Sequence, residues 1–277
     1  MSLQQDILSL FDEQLQSWPL AGKNYEALEN IRVKVFDFGA YTINVQFNPA
    51  RAVSSLAKLD TKTIEARPCF LCAANRPKEQ KSIDFKGKYD VLVNPFPICQ
   101  KHLTIASNIH EPQLISLEKL DDMLDLAEAL PDFVILYNGP QSGASAPDHF
   151  HFQAGNVDFF HQPVDMFHDG LIDKRVFSSP RKETIAQAFG QLYKELKTNE
   201  DEPKMNIFCQ FKDNEFVLTV YPRKQHRPRQ FFAEGIAQLM VSPGAIDMTG
   251  TLIIAREEDF EKITKDDIKD IFKQVSL

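Results

Sequence analysis

The residues with the clearest chemical potential are His149-Phe150-His151-Phe152-Gln153. On a β-strand, positions i, i+2 and i+4 share one face. His149, His151 and Gln153 then point to one side, and Phe150 and Phe152 point to the other, into a core. On a helix the two histidines would diverge by about 200°. The run before them, Asn138-Gly139-Pro140-Gln141-Ser142-Gly143-Ala144-Ser145, is built of small residues. Glycines let backbone N–H groups approach an anion closely, and such a loop can form a phosphate nest. A histidine beside a bound phosphate can attack phosphorus and split one displacement into two through a phosphoramidate. The plainer alternative is a pair of hydrogen-bonded strand histidines with no chemical task.

Four cysteines in 277 residues make no disulfide framework. The close pair Cys69-Phe70-Leu71-Cys72 has the spacing of a metal or redox pair, and no thioredoxin-like βαβ pattern surrounds it. Cys99 and Cys209 sit in apolar contexts and read as buried packing residues. The run Tyr221-Pro222-Arg223-Lys224-Gln225-His226-Arg227-Pro228-Arg229 holds four cations and no acid. It reads either as a solvated loop or as a phosphate clamp built on Arg223, Lys224 and Arg227, since Arg can contact phosphate bidentately. Arg51 and Arg67 are further candidates, and His161 and His168 receive no role.

The elements that must carry these groups are legible from periodicity. Leu8, Phe11, Leu15 and Trp18 form a helix stripe over 6–18, and the alternation over Ile31–Val35 and Tyr41–Phe47 predicts a hairpin. Residues 48–88 read as mostly irregular. Strands are predicted at Tyr89–Val93, His102–Ala106, Phe133–Tyr137 and His149–Ala154, with a helix stripe at Leu117, Leu120, Leu124 and Ala127 between the second and third. A helix through Ile185–Leu196, a hairpin of Asn206–Phe211 with Glu215–Tyr221, a strand at Leu252–Ala255 and a closing helix over Asp266–Val275 complete the chain. Recurrent hairpins favour an α+β fold on an antiparallel sheet over a doubly wound parallel one. The division expected is 1–65 as N-terminal helix and hairpin, 66–165 as catalytic half, and 166–277 as a C-terminal α+β half packed on the same sheet.

Composition sets outer bounds. The chain is 43% hydrophobic and 25% charged, an ordinary globular mix. A net charge of -8 argues against broad nucleic-acid binding. No apolar run approaches the ~20 residues of a membrane helix, and the acidic N-terminus does not read as a signal peptide. A cytoplasmic location is the expectation, without nucleic-acid or membrane partners.

The stretch from Asn138 to Gln153 resembles the active-site segment of the histidine-triad (HIT-like) superfamily, in its His-x-His-x-Gln branch. Asn94-Pro95-Phe96-Pro97-Ile98 followed by Lys101-His102-Leu103 is similar to that superfamily's turn and "H-L-hydrophobic" strand. Within the branch, the chain looks most like GDP-L-galactose and GDP-glucose phosphorylases, with a further likeness to galactose-1-phosphate uridylyltransferases. The weaker similarity of Phe11–Arg51 and of Ser242–Leu277 extends it over most of the chain. The resemblance implies a HIT-like antiparallel sheet with flanking helices, with a duplicated half as in the uridylyltransferase branch as one form of it.

It also implies chemistry. His151 becomes the nucleophile on the α-phosphate of a nucleoside diphosphate sugar, a GDP-hexose first, releasing a sugar 1-phosphate. The nucleotidyl-histidine then passes to phosphate or a sugar-phosphate acceptor. Gln153 holds a phosphate oxygen, Gly143 and Ser145 line the phosphate pocket, and Asn138 orients the nucleotide or the strand end. A structural Zn2+ held by Cys69, Cys72, His110 and His149 follows from the uridylyltransferase branch, as does a homodimer from the superfamily. Asp247 matches an acidic position of the related C-terminal segment. Two alternatives stay open: a nucleotide hydrolase on the same scaffold, and a non-enzymatic zinc-stapled nucleotide-binding module.

Overall fold

Eleven strands and their hairpins build the described part of the molecule, a computed structural model covering residues 2–52, 60–160 and 171–277. Strands β3 (Ser82–Phe85), β4 (Tyr89–Val93), β5 (His102–Ser107), β6 (Phe133–Asn138), β7 (His151–Asn156), β8 (Arg175–Ser179), β9 (Met205–Lys212) and β10 (Glu215–Pro222) form one sheet. Its order is β3-β4-β5-β7-β6-β9-β10-β8, and every pair is antiparallel. A smaller sheet joins β1 (Arg32–Asp37), β2 (Thr42–Phe47) and β11 (Thr251–Ile254), with β2 and β11 parallel. This is the expected α+β, HIT-like arrangement.

Tight turns fix the hairpins. Asp213 and Asn214 both take positive φ, the geometry a two-residue connection between twisted strands requires. Lys86 and Gly87 do the same between β3 and β4, so the described part of 48–88 is more ordered than its composition suggests. It also holds the helix Thr61–Ala66, capped by Asp60. The short edge strands β3 and β8 escape a periodicity reading because four or five residues give too few alternations.

The large sheet is covered on both faces. Phe150, just before β7, and Phe152 and Ala154 of β7 enter one core with Ile105, Ile135 and the helices Leu3–Ser17, Leu117–Ala129 and Lys182–Leu196. Val134, Leu136, Phe208 and Tyr221 enter a second core with β2, β11 and the helices Glu257–Lys262 and Lys265–Val275. The first helix buries Ile7, Leu10, Phe11 and Gln14; of the predicted stripe Phe11 and Trp18 are buried, Leu15 packs against the core half-buried, and Leu8 turns partly outward. Gln14 turns inward because it donates to Glu79 O at 2.8 Å and accepts from Lys81 N at 2.9 Å. Among the described residues, no helix is long and apolar enough to cross a membrane.

Candidate active site

β7 lies between β5 and β6 at the centre of the large sheet. The strand begins at His151, not His149. His149 closes a turn onto Ala146 O at 3.2 Å and enters a separate cluster at the head of the strand. The polar side of β7 is therefore no solvent face. It meets the layer carrying the C-terminal elements, and His151 is 3% exposed.

Two hydrogen-bond chains set the chemistry of this side. His151 Nδ1 lies 2.8 Å from His149 O. A carbonyl only accepts, so Nδ1 carries the proton and Nε2 keeps its lone pair. Nε2 takes no protein partner among the described residues. Burial pushes the His151 imidazole down to about 4, which keeps it neutral near pH 7. In the second chain Ile98 N–H donates to His102 Nδ1 at 3.3 Å, so His102 Nε2–H donates to Gln153 Oε1 at 2.8 Å. The Gln153 oxygen is thereby occupied and its NH2 is left to donate.

Gln153 faces a pocket lined also by Asn138, Gly143, Ser145, Arg51 and Arg227. The opposite wall is the C-terminal segment Ser242–Asp247. Asn138 ties the walls together: its Oδ1 accepts from Asn206 Nδ2 at 2.9 Å and from Ala245 N at 2.7 Å. Gly143 has φ +107°, and a Cβ on it would stand 2.6 Å from Gly244 Cα. Only glycine permits that backbone contact. Asp247 is buried on the same wall, its oxygens accepting from Gly244 N and Ile253 N. Burial raises its carboxyl to about 6.

The basic run divides. Arg227 lines the pocket, donates from Nε to Ser242 Oγ at 3.0 Å and stacks over Phe231. Arg223 lies off the pocket wall. Its guanidinium, 4% exposed, is committed to Val275 O, Pro243 O, His226 O, Gln225 O and Asn206 Oδ1. Lys224 is exposed and donates to Lys273 O, away from the pocket. A buried carbonyl-lined niche takes the first arginine because its fork satisfies five acceptors at once. Arg67 pairs with Asp148 at 2.7 Å and does not line the pocket. His161 and His168 lie outside the described residues.

Cys69, Cys72, His110 and His149 come together, with ligand atoms within 4.8 Å of one another. Cys69 Sγ and Cys72 Sγ stand 3.4 and 3.5 Å from His149 Nδ1, and Cys72 Sγ stands 3.3 Å from His110 Nδ1. A tetrahedral ion with Zn–S about 2.3 Å and Zn–N about 2.05 Å needs S···N edges of roughly 3.5 Å. His149 Nε2 donates to Ser107 O at 2.8 Å, which leaves Nδ1 as a ligand atom. Burial opposes ionisation of Cys69, yet the His149 hydrogen bond and the Leu71 and Cys72 amides bring it down to about 6. Burial and the adjacent Cys69 move Cys72 the other way. The donor set and the second shell both fit a metal. The other two cysteines, Cys99 and Cys209, are buried in packing positions.

Two groups of the site have no role in the sequence: His102, which enters only with its strand and the Lys101-His102-Leu103 run, and Gln113, a loop glutamine whose buried side-chain amide bonds the His151 backbone.

Residues 10–156 match the family profile described as DUF4922, a domain of unknown function. Residues 172–277 match one described as a GDPGP1-like C-terminal domain. By structure the chain is similar to yeast Ap4A phosphorylase Apa2 in complex with Ap4A, with TM-score 0.64 and 18% identity over 97% of each chain. A second crystal structure of yeast Ap4A phosphorylase Apa2 gives TM-score 0.61 and 16% identity, covering 94% of this chain and 96% of that one. Its complex with AMP gives 0.60 and 16%, covering 96% and 97%. No curated protein matches by sequence. At these identities the likeness establishes a shared fold.

Proposed function

The chain belongs to the DUF4922 family and carries a GDPGP1-like C-terminal domain on the fold of an Ap4A phosphorylase; from that premise we propose that it is a nucleotide phosphorylase of the histidine-triad kind, acting on a nucleoside diphosphate sugar, GDP-hexose first, through a covalent nucleotidyl-histidine on His151. The observation that carries this reading is the His151 tautomer. Its Nδ1–H is fixed on the His149 carbonyl, which leaves the Nε2 lone pair free; His151 itself does not line the pocket, and Gln153, two residues along the same strand face, does.

In the first step Nε2 attacks the α-phosphorus. The bond from that phosphorus to the bridging oxygen breaks, and the oxygen leaves with the sugar 1-phosphate. The new N–P bond makes the imidazole cationic, and the Nδ1–H···O=C bond stabilises that charge. Gln153 donates its NH2 to a non-bridging phosphate oxygen, and Arg227, Ser145 and the Gly143 backbone hold the remaining oxygens. In the second step an oxygen of inorganic phosphate attacks the same phosphorus. The N–P bond breaks, neutral His151 returns, and a nucleoside diphosphate leaves.

Cys69, Cys72, His110 and His149 would hold a structural Zn2+, which when bound supplies a rigid anchor and no open coordination position. By fixing His149 it would fix the carbonyl that sets the His151 tautomer. The fold likeness favours one second reading, phosphorolysis of a dinucleoside polyphosphate, which uses the same His151 chemistry with a nucleotide as the leaving group.

The test is to incubate the purified protein with inorganic phosphate and a panel of GDP-, ADP- and UDP-hexoses and Ap4A, with His151→Ala in parallel, and to identify products by mass. Sugar 1-phosphate plus nucleoside diphosphate, absent in His151→Ala, is the expected result. Turnover of Ap4A alone would select the second reading. Nucleoside monophosphate formed without phosphate would indicate a hydrolase. Nucleotide binding with no turnover by folded, metal-loaded protein would indicate a binding module.

A further inference from the structure

We propose that Gln113 is the positioning residue of the nucleophile, a side-chain wedge that replaces a missing rung between β6 and β7 and holds the main chain of His151. The proposal rests on the reading of His151 as nucleophile. The last register pair of the two strands at this end is Leu136 with Gln153. Continued by two residues, the same register sets Asn138 opposite His151. The paired register stops short of it. The Gln113 amide stands there instead, donating from Nε2 to Asn138 O at 3.0 Å and to His151 O at 2.9 Å, and accepting from His151 N at 2.7 Å. One fully buried amide thus uses both its hydrogens and its oxygen on the backbone of two site residues.

The wedge has its own supports. Phe150 N donates to Glu111 O at 2.7 Å and Gln113 N to Pro147 O at 3.0 Å, so the 111–113 loop accompanies the chain entering β7. The loop is held at His110 by the cysteine–histidine cluster and at Ile115 by Glu202, whose carboxylate accepts from Ile115 N at 2.6 Å. Tyr137 Oη reaches both Glu202 and the Gln113 carbonyl. A side-chain rung is wider than a direct backbone rung. It lets the strands part where the Asn138–Ser145 loop must turn into the pocket, while keeping His151 fixed against Ala106 of β5. A misplacement of about 1 Å at a reacting atom can cost on the order of 100-fold in rate.

The test compares the wild-type holoprotein with Gln113→Met, which keeps the length and loses all three hydrogen bonds, and Gln113→Glu, which keeps the acceptor and donates only when protonated. The probes are GDP-glucose and Ap4A, each with inorganic phosphate. Expected are a fall in kcat of roughly 100-fold in Gln113→Met with KM changed less than about threefold, and partial recovery of Gln113→Glu, relative to wild type at the same pH, as pH falls from 8 to 5.5. Backbone amide exchange is measured on the same proteins without substrate. The His151 amide should lose protection in Gln113→Met while Ile105 and Ile135 keep theirs. Wild-type kcat in Gln113→Met, a rise in KM alone, or loss of protection across the whole sheet would overturn the proposal. A wild type inactive on both probes would count against the phosphorylase reading. Selective exchange at His151 would then still decide whether Gln113 holds that residue.

Discussion

Glu202 offers the sharpest test of how the buried polar groups near the site are balanced. Its carboxyl is 5% exposed, and burial raises it from its ordinary 4.5 to about 7, against the opposing pull of the Ile115 amide and the Tyr137 hydroxyl. Below about pH 4.5 the folded and unfolded chains both carry the proton, and the group costs nothing. Between 4.5 and about 7 the unfolded chain releases the proton and the folded chain retains it, so stability falls as pH rises. Above about 7 the full penalty is present. At about 1.4 kcal/mol per pH unit, that window amounts to about 3 kcal/mol. Glu202→Gln mimics the protonated acid: its oxygen accepts from Ile115 N–H, its NH2 donates to the Tyr137 oxygen, and the Tyr137 proton turns to the Gln113 carbonyl. It does not titrate. Urea denaturation of both proteins from pH 5 to pH 8, which spans most of that window, should show the variant gaining about 2.5 kcal/mol relative to wild type, or roughly 5–10 °C in Tm. Parallel curves for the two proteins would refute the argument, because they would mean that Glu202 ionises in the folded state as readily as in water.

Gly143→Ala should destabilise by roughly 3–5 kcal/mol, since φ +107° and a 2.6 Å approach to Gly244 Cα cannot both be kept; a thermal melt within 3 °C of wild type would contradict this. Arg223→Ala should lower stability by roughly 3–5 kcal/mol by stranding buried acceptors, whereas Arg227→Ala should leave the melt within about 1 kcal/mol and raise KM for the nucleotide substrate about tenfold or more. Melting curves and steady-state kinetics on the pair separate the two roles. Elemental analysis should find one zinc per wild-type chain and none in Cys72→Ser, and chelation of the wild type should reproduce the lowered Tm of that variant.

Local chemistry wrote much of this molecule into its sequence. Alternation over His151–Phe152–Gln153 says which side chains share a face, because a strand turns every second residue to the same side whatever surrounds it. The Cys69–Cys72 spacing places two sulfurs within reach of one ion, and Asp213-Asn214 marks a turn, because both constraints act over a few residues. The tertiary structure alone decided the rest. Arg223 and Arg227 are indistinguishable in composition, yet one fills a niche of carbonyl oxygens from the adjoining turn and three distant segments and the other faces the pocket. The polar side of β7 became a buried cleft because Ser242–Asp247, some ninety residues away, closes over it through Asn138 and Gly143. The proton of His151 is fixed by the carbonyl of His149, two residues back, whose side chain enters the cysteine cluster. Gln113 acquired its place because two strands part by the width of one amide. Periodicity encodes the face of an element, but which other element covers that face depends on contacts between residues far apart in the chain.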